Sequence, residues 1–74
     1  MTEKEMLEKL RVALEEVCKN HKIDIVTGKK LLLGNQQAMT SWIENTKIIL
    51  DEDPSLVSDD YFMRTASAVT KLID

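Results

Sequence analysis

The chain has 74 residues, a formal net charge of −3, 43% hydrophobic and 31% charged residues. That length sets one domain near the lower limit for a self-sufficient core, and the apolar share excludes a disordered chain. Ten Lys and Arg stand against 13 acids, without the basic stripe that non-specific nucleic-acid binding needs to displace phosphate counterions. The lone Cys18 excludes an internal disulfide and, with no secretory leader in view, leads us to expect a reducing, cytoplasmic setting. Apolar runs such as Leu31-Leu32-Leu33 fall far short of the roughly 20 residues of a membrane span.

The first element is a helix over about 3–19. Thr2 and Glu5 have the spacing of a capping box, each side chain satisfying a backbone N–H that the first turn leaves free. Met6, Leu7, Leu10, Ala13, Leu14, Val17 and Cys18 then recur at three- and four-residue intervals, forming one apolar face. The opposite face carries Lys4–Glu8, Glu5–Lys9, Arg11–Glu15 and Glu15–Lys19 at four-residue spacing, pairs that contribute about 0.2–0.5 kcal/mol each. Asn20 is the expected left-handed exit residue.

Residues 23–34 admit two readings. Ile23-Asp24-Ile25 alternates, and Gly28-Lys29 fits a hairpin turn that would face Ile25 with Leu32 and Val26 with Leu31. The favoured reading takes Thr27 as the N-cap of a short helix stopped at Gly34, because leucine suits a helix better than a strand. Asn35 then caps a helix over about 36–50 with the face Met39, Trp42, Ile43, Thr46, Ile49 and Leu50. Pro54 disfavours helical geometry at Asp53 and closes it. The last helix spans about 59–73 after Ser58, with Asp59 and Asp60 in its first turn, where the helix dipole favours negative charge. Val57 and Phe62 have the spacing of a hydrophobic staple, and Phe62, Ala66, Val69, Leu72 and Ile73 form the buried face. The expected fold is all-α: a small three-helix bundle with a short helical, irregular or hairpin-like piece at 23–34.

Candidate chemistry fails on composition. Asp51 to Phe62 places oxygen side chains at loop positions one, three, five and nine, yet the calcium loop also needs Gly at six and Glu at twelve, where Leu56 and Phe62 stand. Cys18 and His21 are one helical turn apart, but zinc takes three or four protein ligands and no further Cys or His exists. The only glycines, Gly28 and Gly34, form no phosphate-cradling loop. We therefore expect no enzyme activity, no metal and no cofactor.

One segment carries a specific resemblance. Leu33 to Trp42 is similar to the turn and recognition helix of phage-repressor-type helix-turn-helix proteins, over ten of the 74 residues. The resemblance implies DNA contacts from Asn35, Gln36, Gln37, Thr40 and Ser41, with Gln37 placed to read adenine. It departs from that pattern in a shorter turn and in Lys29 and Lys30 where a small residue is usual. The first expectation is different: a non-enzymatic interaction protein that presents a helical surface, self-associates, and uses Met39, Trp42, Ile43 and Met63 as contact residues. Trp anchors interfaces and Met repacks readily. In size and character the chain resembles small phage- or plasmid-encoded modulators.

Overall fold

The computed structural model describes residues 1–71, and these are all-α. Helix α1 (Glu3–Asn20) is followed by α2 (Ile25–Leu32), α3 (Gln36–Glu52), a 3₁₀ turn at Pro54–Leu56, and α4 (Asp59–Lys71). The C-terminal turn expected to bury Leu72 and Ile73 lies outside the described residues. The Cα radius of gyration is 11.9 Å, close to the roughly 11 Å of a compact domain of this length.

Local chemistry explains each start. The capping box at α1 is present: Glu5 N–H donates to Thr2 Oγ1 at 3.2 Å, and Thr2 N–H donates to Glu5 Oε1 at 3.4 Å. Asn35 Oδ1 accepts from Ala38 N–H at 3.1 Å and caps α3. At α2 the capping residue is Asp24, not Thr27: Asp24 Oδ1 accepts from Val26 N–H at 3.3 Å, and the Thr27 hydroxyl donates to Asp24 Oδ2 at 3.2 Å. The hairpin reading of this segment is overturned, since residues 25–32 are helical and the described residues contain no strand. An isolated hairpin is weak without further packing, whereas this short helix has its ends satisfied by the Asp24 cap and by the Leu33 and Gly34 N–H groups donating to Lys29 O.

The exit of α1 also differs from expectation. Asn20 is still helical, and the left-handed residue is Lys22 with φ 55°. Ile23 N–H donates to Cys18 O at 2.8 Å and Lys22 N–H to Lys19 O at 3.4 Å. This is the paired closure of a Schellman motif, with lysine where glycine is usual. Helix α3 runs two residues beyond the expected stop, to Glu52, before Asp53 leaves helical geometry ahead of Pro54.

Helix α1 packs most extensively against α4 and next against α2, which also touches α4. Met6, Leu10, Ala13, Leu14 and Val17 meet Phe62, Ala66 and Val69, with Leu32, Met39 and Val57 completing the core. Burial of each large side chain contributes about 1.5–3 kcal/mol. Val57 and Phe62 are both in this core, as their staple spacing predicts. The α1–α2 crossing is close at one point: a Cβ added to Gly28 would stand 2.9 Å from Cys18 Sγ. Gly34 is required in the α2–α3 turn, where a Cβ would meet Lys30 O at 2.8 Å.

Helix α3 is held differently. It touches the 3₁₀ turn and reaches α4 through side chains. Thr46 is fully buried; its hydroxyl donates to Trp42 O at 2.7 Å and shares a 2.7 Å hydrogen bond with Tyr61 OH. Trp42 stacks on Tyr61 at a centroid distance of 6.1 Å, meets Phe62 edge-on at 6.0 Å, and its Nε1–H donates to Thr65 Oγ1 at 3.4 Å. Aromatic geometry and hydrogen bonds thus join α3 to α4 where aliphatic packing joins α1 to α4.

Candidate functional site

A wide concavity lies between α1 and α3. It is an open groove of about 960 Å³ lined by Leu7, Leu33, Met39 and Ile43, with Glu3, Lys4, Glu8, Arg11 and Gln36 around it. Its origin is the arrangement just described. The apolar stripe of α1 is wider than the arc that α4 and α2 cover, so Leu7, next to buried Met6, is left half-buried at the edge. The turn after α2 delivers Leu33, and the first two turns of α3 deliver Met39 and Ile43. Met39 reaches the core, while α3 as a whole packs less closely on α1 than α4 and α2 do. An ion pair between Glu3 and Lys47 ties α1 to α3.

The rim is charged and largely self-satisfied. The Arg11 guanidinium pairs with Glu8 and, at 2.7 Å, with Glu15, which also takes Lys29 of α2 at 3.3 Å. The hydrogen bond from Arg11 holds the Glu8 carboxyl below its ordinary range, and Glu8 in turn raises Arg11. Of the four charge pairs expected along α1, Arg11–Glu15 is formed. Lys9 instead reaches Asp59 of α4 at 3.7 Å and lies 5.8 Å from the Phe62 ring centroid.

The structure distributes the expected contact residues. Met39 and Ile43 share the α1–α3 groove. Trp42 faces α4, and Met63 lines a smaller cleft of about 310 Å³ between α1 and α4 with Val12, Ala13 and Phe62. Leu7 and Leu33 were missed as site residues. The available signal was Leu7 standing beside Met6, which widens the stripe beyond one packing arc. Asn35, Gln36, Gln37, Thr40 and Ser41 are all exposed on the first turns of α3. The Asn35 side chain is used as the cap, and the Thr40 hydroxyl donates to Gln36 O at 2.9 Å. Helix α2 packs on α1 and α4.

No constellation for covalent or metal chemistry assembles among the described residues. Cys18 is buried against Gly28, and no group of three or more His, Cys, Asp or Glu is placed to hold a metal ion. Three of the five acids of the 51–60 stretch have local roles: Asp53 accepts from Ser55 N–H at 3.2 Å, Asp59 pairs with Lys9, and Asp60 with Arg64 at 2.5 Å. No described helix is long and apolar enough to cross a membrane. What the groove offers is apolar contact bordered by both signs of charge. The chain matches no protein-family model, no curated protein and no solved structure.

Proposed function

We propose that this protein is a small non-enzymatic interaction protein, a regulator, inhibitor or assembly factor, that works through the α1–α3 groove and self-associates. The observation carrying the reading is the groove itself: Leu7, Leu33 and Ile43 are half-buried along one slot, with Met39 beneath them. A three-turn amphipathic helix fits such a slot by the same packing that holds the core. The proposal includes a cytoplasmic setting, for which the lone reduced Cys18 is the support, and a phage or mobile-element origin, for which small size is the support.

The test compares proteins captured from the native host by the wild-type chain and by Ile43→Asp. A charge in the groove floor should abolish capture while far-UV circular dichroism shows the helices retained. Identical capture by both proteins refutes the reading.

The second reading is DNA recognition by Asn35, Gln36, Gln37, Thr40 and Ser41. The exposure of all five on the first turns of a helix that follows a helix and turn favours it. It requires duplex binding that weakens steeply with salt; absence of binding at about 50 mM salt eliminates it.

A further inference from the structure

Resting on the groove reading above, we propose that its occupant is a second copy of this chain, docked with the two α1 helices antiparallel about a two-fold axis at Leu7. A two-fold contact uses one patch twice, so that patch must complement itself. Glu3, Leu7 and Arg11 stand at i, i+4 and i+8, one ridge along α1, and all three line the groove. At 1.5 Å per residue, Glu3 and Arg11 are about 12 Å apart with Leu7 midway. Reversing this ridge about Leu7 sets Glu3 against Arg11 of the partner subunit, and Arg11 against Glu3 of the partner subunit. Lys4 and Glu8 straddle nearly the same point, so the reversal also brings each within a turn of its opposite in the partner. A parallel alignment would set like charges together.

Charge also selects this face over the other. The chain as a whole is at −3 and repels its copy. The groove rim holds two acids, Glu3 and Glu8, and two bases, Lys4 and Arg11, and so carries no net charge. The α1–α4 cleft is bordered by Glu8, Glu16 and Asp59 against Lys9 alone, and two such surfaces repel. On the neutral face Leu7, Leu33 and Ile43 of the two copies close over one another, while Glu3 and Arg11, paired within each chain with Lys47 and with Glu8 and Glu15, extend those pairs across the axis and fix the register.

Sedimentation equilibrium of the purified chain from micromolar to millimolar concentration tests this, with far-UV circular dichroism confirming that each variant is folded. The wild type should dimerise. Glu3→Arg and Arg11→Glu should each weaken the dimer about tenfold, since each swap turns two attractions into repulsions. An equimolar mixture of Glu3→Arg and Arg11→Glu should recover affinity as a heterodimer, because the doubly basic ridge of one copy faces the doubly acidic ridge of the other while the intrachain contacts with Lys47, Glu8 and Glu15 are altered as in the single variants. Ile43→Asp should dissociate the dimer through the apolar floor. A wild type that stays monomeric to millimolar concentration, or a mixture of the two single variants that associates no better than either alone, overturns the second-copy assignment. Neither result bears on capture of other proteins, which the Ile43→Asp comparison in host extract judges separately.

Discussion

Replacing Gly28 with alanine should destabilise this protein, and the same replacement should stabilise it once Cys18 is alanine. The added Cβ would lie 2.9 Å from Cys18 Sγ, against about 3.5–4.0 Å for an ordinary contact. Cys18 is 1% exposed, so its sulfur must either turn about χ1 into the packed core or push α1 and α2 apart. Overpacking of this kind costs about 1–3 kcal/mol. Opposing it, alanine gains about 1 kcal/mol over glycine inside a helix. The net loss in the wild-type background is therefore up to about 2 kcal/mol, with a central value near 1 kcal/mol that lowers the melting temperature by about 4–8 °C. In Cys18→Ala the obstructing sulfur is gone, the new methyl fills its space, and the helix gain of about 1 kcal/mol remains. Urea denaturation of the four proteins in this cycle reads both signs. If Gly28→Ala has the same effect in the two backgrounds within about 0.5 kcal/mol, the close α1–α2 crossing is refuted.

Other outcomes follow from the hydrogen bonds and charges. Thr46→Val leaves Tyr61 OH without its buried partner and should cost about 1–3 kcal/mol; combining it with Tyr61→Phe should cost less than the two separate losses, as chemical denaturation will show. Lys22→Gly relieves the left-handed strain at φ 55° and should raise stability by about 1 kcal/mol in the same assay. Glu8 has a lowered carboxyl pKa, chiefly through the Arg11 hydrogen bond, so its contribution is present above its ordinary value and fades as pH falls through the lowered one. The urea midpoint of Glu8→Gln should accordingly fall less than that of the wild type between neutral pH and the region below 4.5.

Three of the helices were legible because each joins a strong N-terminal signal to a long periodic stripe: Thr2 with Met6 to Cys18, Asn35 with Met39 to Leu50, and Ser58 with Phe62 to Val69. Helix α2 was ambiguous for a physical reason. Two turns are too short to display a period, and a cap flanked by Ile23 and Ile25 reads as strand alternation. The left-handed exit was misplaced because the sequence offers Asn20, while the hydrogen-bond closure demanded Lys22. Partner choice among helices was not legible, since a stripe states that a face is buried and not against what. Half of the groove floor was anticipated in Met39 and Ile43. Leu7 and Leu33 join it only because α3 is tethered to α4 by Thr46, Tyr61 and Trp42, a polar and aromatic link that hydrophobic periodicity does not encode.

That link makes the molecule its own optical gauge. Trp42 and Tyr61 are the only tryptophan and the only tyrosine, and they sit ring to ring across the α3–α4 seam at 6.1 Å. Light absorbed by the phenol should emerge as indole emission while the seam is shut. Phenol emission should return once α3 detaches and the rings part by several times this distance, so a ligand that pries the helix free will announce itself without an attached dye.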